Sequence, residues 1–294
     1  MAHVAPGELR RFSAEPIEAV DYRMDVDYFG DGIRQHRLDV IVPHDHDGPL
    51  PVYVYFHGGG WTSGDKAALT RYCASQAVGG MVVVNVNYRM APRFHMAHML
   101  QDANAALAWI RANIATLGGD PGRIVLGGDS AGGQLSALFA AACGRPKLAQ
   151  HYALVPAIDP DCVRGVVQHC SVVDFSVIFE RGFVLGLGFV RMLLPHRGKG
   201  ASLRHAAHYL SPIEWLGSGY PPVLVTTSRR DFFYRANLNF IRALRGHRVP
   251  VESLVHDEAP HTWQQDSRHP ASAEVYGRLQ AFVHRVTPTR QVAA

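Results

Sequence analysis

Short runs that are apolar at nearly every position alternate along this chain with longer stretches in which apolar residues return every third or fourth place. The runs 52–56, 81–86, 123–126, 152–155, 166–173, 223–227 and 251–255 read as strands. Most are apolar throughout rather than alternating, which suits a parallel sheet covered on both faces. Segments 97–114, 131–143, 235–245 and 271–286 carry helical spacing and few breakers. Strand and helix in this repetition predict a doubly wound, mostly parallel α/β sheet. Two earlier segments, 24–28 and 37–42, alternate polar and apolar residues and are expected to add antiparallel strands at one edge. Between about 174 and 219 the rhythm lapses into helical patches with no clear strand. An insertion there is expected to fold as a cap over a ligand site.

Composition narrows the function classes. The chain has 294 residues, 47% of them hydrophobic and 18% charged, enough to bury one large core, and a single domain over 1–294 is expected. The 29 basic and 25 acidic residues are scattered and leave a net charge of +4, which gives no electrostatic footprint for nucleic acid or an anionic membrane. The longest apolar stretch, 183–194, is too short to span a bilayer and contains Arg191. Cys73, Cys143, Cys162 and Cys170 form no Cys-x-x-Cys pair, so free thiols and a cytoplasmic location are expected. The N-terminus lacks the continuous apolar core of a secretory signal.

The chemistry concentrates in two glycine motifs. Residues 123–133 read RIVLGGDSAGG, in which an apolar strand runs through Gly128-Asp129-Ser130-Ala131-Gly132 into a helix. A serine on such a sharp strand-to-helix turn projects its hydroxyl above the sheet, and the closeness of the turn requires glycine two places before and after it. Ser130 is therefore the candidate nucleophile. Upstream, PVYVYFHGGG at 51–60 drives a buried strand into three glycines, whose amides can approach a substrate closely. Gly58, Gly59 and Ala131 are the expected oxyanion donors. His57 precedes that loop and reads as a packing residue.

With 17 histidines in the chain, position must select the base. On the order serine, acid, histidine, Asp231 falls just past the strand 223–227, and His261 lies beyond the last strand and before the final helix. Asp174, which also ends an apolar run, is the competing acid; His256 and His269 are the competing bases. The pairs His95/His98 and His205/His208 and the HDHD at 44–47 lack a third ligand at recognisable spacing, so no metal and no cofactor are expected. Trp61, Phe175, Phe179, Phe183 and Phe189 are candidates to line a substrate pocket, with cap packing as the alternative.

Together the HGGG at 57–60, the GDSAGG at 128–133, the YRMAP at 88–92 and the stretch 109–124 resemble the hormone-sensitive-lipase-like esterases of the α/β-hydrolase fold. The resemblance runs from about residue 50 to the C-terminus. It implies hydrolysis of short-acyl or aryl carboxylic esters by a Ser-His-Asp triad without a cofactor, under a cap built from about 1–30 and 175–219. Two positions depart from the family pattern: Ser228 stands where a glycine is usual before the acid loop, and Tyr234 where a second aspartate is common. Gly64-Asp65-Lys66 also resembles acylamide and formamide hydrolases, so an amidase or formamidase stays open, as does a non-catalytic binding protein of the same fold. The implied partner is a small ester, with a homodimer left open and no stable membrane association.

Overall fold

Val82–Val86 has all five residues buried, the condition of a strand covered on both faces. In the computed structural model, which describes residues 16–181, 183, 187–195 and 202–289, that segment is β4. The other strands are β1 (Val20–Asp27), β2 (Arg37–Pro43), β3 (Leu50–Phe56), β5 (Gly119–Asp129), β6 (Val163–His169), β7 (Val223–Ser228) and β8 (Val251–His256). They form one sheet in the order β1-β2-β4-β3-β5-β6-β7-β8. β1 pairs antiparallel with β2 and β2 with β4, whereas β4 through β8 are mutually parallel. The doubly wound, mostly parallel architecture and the antiparallel edge expected from the alternation in 24–28 and 37–42 are both present.

Successive side chains of each strand serve opposite faces. Val82, Val84, Val86, Ile124 and Leu126 join one core with helices α2 (Met96–Asn113), α3 (Ser130–Gly144) and α7 (Tyr234–Gly246). Val83, Val125, Val167 and Leu224 join the other with α1 (Thr70–Ala77) and α8 (Ser272–Val286). Every loop leaving the carboxyl ends of the parallel strands therefore reaches one edge of the sheet, where ligands of open α/β sheets bind.

Two sequence expectations are corrected here. Residues 152–155 are no strand: Tyr152 caps the short helix α4 (Pro146–His151), Ala153 has φ of 48°, and Val155 is 82% exposed. β5 pairs directly with β6, which leaves no place between them for another strand. The run 166–173 ends as a strand at His169: Cys170 makes a last bond to β7, its amide donating to Thr226 O at 2.8 Å, and its φ of 51° then turns the chain away. Of the cap segments, 1–15 lies outside the described residues, and residues 20–27 pair in the sheet as β1. Lys66 fixes that strand, its ammonium 2.7 Å from Asp25 Oδ1 and 2.5 Å from the buried Asp39 Oδ1. Described parts of the insertion are the 3-10 turns Phe175–Phe179 and Pro212–Trp215 and the helices α5 (Leu187–Met192) and α6 (Leu203–Leu210). Gln134 on α3 binds this layer to the core, donating to Leu210 O (2.7 Å) while accepting from Trp61 Nε1 (3.0 Å).

Candidate active site

β5 ends at Asp129 and the chain turns without a spacer into α3, placing Ser130 at φ of 48°, a left-handed conformation that a non-glycine residue adopts only under constraint. The constraint is contact with β3. A Cβ on Gly128 would lie 2.4 Å from Phe56 O, and one on Gly132 would lie 2.0 Å from the same atom. The two glycines flanking the serine let the elbow sit directly on the end of β3, so the nucleophile and the oxyanion loop are positioned against each other.

That loop is held from beneath by Asp129. Its buried carboxylate accepts, on Oδ1, the Gly58 amide at 2.9 Å and the Tyr55 hydroxyl at 2.8 Å. Burial pushes the Asp129 carboxyl above the usual range, and these donors oppose that shift. His57 stacks on Tyr88 with ring centroids 4.6 Å apart and donates from Nδ1 to Gly58 O at 2.7 Å. Burial depresses its pKa, so the ring stays neutral and serves the loop structurally, as expected from its place before the glycines. Among the described residues, the amides of Gly59 and Gly60 meet no acceptor. Ala131, in the first turn of α3, has no intrahelical acceptor. Gly58, Gly59 and Ala131 were the expected donors, but the Gly58 amide is already committed to Asp129.

Asp231 follows β7 in a turn closed by its own amide on Ser228 O at 3.0 Å. Its carboxylate is divided between two tasks. Oδ2 lies 2.5 Å from His261 Nδ1, and Oδ1 accepts the Phe233 amide at 2.6 Å. A proton on Nδ1 is the tautomer this contact favours, leaving Nε2 as an acceptor. Ser228 Oγ donates to Ala259 O at 2.6 Å and accepts the Arg230 amide at 3.1 Å, so this departure from the family pattern ties the acid loop to the histidine loop. Tyr234 begins α7, its amide donated to Asp231 O at 3.0 Å.

The competitors are engaged elsewhere. Asp174 accepts the Ser176 amide on Oδ1 (2.9 Å) and Asn239 Nδ2 on Oδ2 (2.7 Å). His256 Nδ1 accepts the Glu258 and Ala259 amides, and His269 Nδ1 accepts that of Ala271. Beneath the Asp231–His261 pair lies Cys170, its sulfur within 4.8 Å of ligand atoms of both. Burial pushes this thiol well up, so it stays protonated. Gln264 Nε2 donates to Thr226 Oγ1 at 2.7 Å, and Thr226 Oγ1 lies 2.7 Å from Nδ1 of the buried His169.

Ser130, His261, Gly58, Gly59 and Gly60 line one cleft of about 700 Å³. Phe189, Phe232 and Phe233 supply its phenyl rings and Trp263 an indole. Of the aromatics expected there, Trp61 and Phe175 are buried in the core against each other, centroids 5.6 Å apart. Phe179 and Phe183 pack on the same core, Phe183 against Phe233 at 5.7 Å. Cap packing, the alternative considered for these four, is what the structure shows. Phe189 is the one expected aromatic that does line the cleft, and the residues that sequence reading missed are Asp129, Phe232 and Phe233.

The family described as the alpha/beta hydrolase fold matches residues 53–265, a span that holds β4 through β8, both glycine motifs and the Asp231–His261 pair. The chain belongs to the α/β-hydrolase family. The resemblance to hormone-sensitive-lipase-like esterases lies within that membership. Among curated relatives, the chain is 40% identical over 139 residues to the carboxylesterase NlhH of Mycobacterium tuberculosis, covering 47% of the chain and 44% of the relative. It is 35% identical over 243 residues to the esterase LipQ of the same organism, covering 77% of the chain and 51% of that protein. The chain thus spans about half the length of the curated relatives it matches. Among solved structures it resembles esterase B of Lactobacillus rhamnosis with a TM-score of 0.84 and 21% identity, covering 95% of this chain and 92% of that one, a likeness of fold. No helix of the described residues is long and apolar enough to cross a membrane.

Proposed function

We propose that this α/β hydrolase is a serine carboxylesterase of small, short-acyl or aryl esters, with Ser130 as nucleophile, His261 as general base and Asp231 as the acid that orients it. The observation that carries the reading is the 2.5 Å contact between Asp231 Oδ2 and His261 Nδ1 in a cleft shared with a serine on a strained elbow. His261 Nε2 takes the Ser130 proton as the hydroxyl attacks the ester carbonyl, and Asp231 stabilises the imidazolium that forms. Developing charge on the carbonyl oxygen is met by the amides of Gly59, Gly60 and Ala131, while Gly58 and Asp129 keep the loop in place. The same imidazole returns the proton to the leaving alcohol, then activates water against the acyl-enzyme. The insertion at 175–219 acts as the cap, reaching the cleft through Phe189.

The names of the relatives support an ester substrate. Lys66, part of the formamidase-like Gly-Asp-Lys, is occupied in anchoring β1 and is not among the residues lining the cleft. The test is a rate panel of acetyl, butyryl and octanoyl p-nitrophenyl esters and an aryl formamide on the purified protein and on Ser130→Ala. Acetyl and butyryl esters are expected to lead, with Ser130→Ala slower on the order of 10⁴- to 10⁶-fold. Near-normal turnover by Ser130→Ala, or a formamide preferred over every ester, contradicts the reading.

A further inference from the structure

Phe232 is a large apolar side chain left 43% exposed, and its ring centroid stands 4.4 Å from that of His261 at an interplanar angle of 35°. Its neighbour Phe233 is 1% exposed and packs on Phe183, so of the two consecutive phenylalanines one anchors and the other is presented. The presentation is rigid. Asp231 Oδ1 holds the Phe233 amide at 2.6 Å, and the Tyr234 amide closes back on Asp231 O at 3.0 Å. One carboxylate thus fixes both the imidazole and the backbone that carries the phenyl ring.

In acyl transfer a histidine that takes the serine proton must hand it to the departing oxygen, which therefore comes within hydrogen-bond reach of that imidazole. Whatever is attached to the departing oxygen begins beside His261. Of the aromatics there, Phe232 is the exposed one and stands nearest the imidazole, whereas Phe233, at 5.9 Å, and Trp263 line the cleft from buried positions. Phe189, the other cap-side aromatic of the cleft, instead borders the oxyanion loop, its ring 3.4 Å from where a Cβ on Gly60 would sit. We propose that Phe232 is the wall of a subsite for the alcohol half of the ester, and that this subsite selects flat, aromatic alcohols. The proposal rests on the hydrolase reading above and extends it to the leaving group.

The experiment compares kcat/KM for phenyl acetate and ethyl acetate, which share an acyl group and differ only in the alcohol. Comparing the phenyl-to-ethyl ratio between variant and wild type cancels the intrinsic reactivity of the two esters. In Phe232→Ala the phenyl-to-ethyl ratio is expected to fall about two- to tenfold, the scale of one aromatic pair, and Phe232→Trp is expected to retain it. Phe189→Ala, which disturbs the loop that both carbonyls use, is expected to change both substrates by a common factor. An unchanged ratio in Phe232→Ala, or equal losses on both esters, overturns the proposal, because Phe232 would then only support His261. A ratio that falls as far in Phe189→Ala overturns it too. Failure of the hydrolase reading would show separately, as turnover of both esters by Ser130→Ala.

Discussion

Gly132→Ala tests the contact that sets the nucleophile against its oxyanion loop. The added Cβ would meet Phe56 O at 2.0 Å and His57 O at 2.4 Å, both backbone atoms that cannot rotate aside. Carbon does not approach such atoms within 3.0 Å, so α3 and the end of β3 must part by about 1 Å. Ser130 lies on one side of that gap and the Gly59 and Gly60 amides on the other. A misplacement of roughly 1 Å costs on the order of a hundredfold in rate. The control lies in the same helix: a Cβ on Gly144 would meet nothing within 4 Å. Gly144→Ala is expected to keep full activity and to gain up to about 1 kcal/mol of stability. Both variants are assayed for kcat/KM on p-nitrophenyl acetate, with circular dichroism and thermal melting to confirm folding. A folded Gly132→Ala enzyme with wild-type kcat/KM would refute the argument.

Asp129→Ala strips the acceptor from two buried donors, the Gly58 amide and the Tyr55 hydroxyl. At about 1–3 kcal/mol each it is expected to lose about 2–6 kcal/mol in urea unfolding, and Asp129→Asn, which keeps Oδ1, distinctly less; equal losses contradict this. Asp231→Asn is expected to lower kcat on the order of 10⁴-fold by favouring the wrong imidazole tautomer, while Asp174→Asn stays near wild type, and kinetics that reverse the pair reassign the acid. His169 is fully buried with its pKa pushed down to about 3. As pH falls below about 6.5 the unfolded chain binds this proton first, so stability present above that pH is lost toward pH 3, at about 1.4 kcal/mol per pH unit. Between pH 6.5 and 5 that amounts to about 2 kcal/mol, and His169→Gln is expected to flatten the slope by this amount; parallel slopes for the two proteins contradict it.

The sheet and the nucleophile are legible because their signals are local. A run apolar at all but one position, such as 82–86, reports burial on both faces, and the glycines around Ser130 report an approach too close for a Cβ. Asp231 and His261 are legible as positions in a strand order, though not their mutual distance, which depends on how the β7 and β8 loops close. Residues 152–155 show where the local signal fails: their apolar character matches a strand, but strand identity also needs an unpaired neighbour, and β5 and β6 already pair. The pocket aromatics fail for a related reason. Trp61, Phe175 and Phe189 are all chemically suited to a cleft, yet which side of the cap faces inward is decided by long-range packing, and of the expected aromatics Phe189 alone lines the cleft, joined by Phe232 and Phe233 from the acid loop. Asp129 was unmarked because the intervening position of the elbow carries no spacing rule. A buried acid beside a glycine loop full of amide donors was the available signal.

The most direct test of the account is covalent. A fluorophosphonate probe incubated with the folded protein, followed by tryptic digestion and mass mapping, is expected to place the adduct on Ser130 alone, with labelling slowed strongly in Asp231→Asn and absent in Ser130→Ala. Labelling that persists in Ser130→Ala, or maps to another hydroxyl in the wild-type protein, would contradict the assignment of nucleophile, base and acid together.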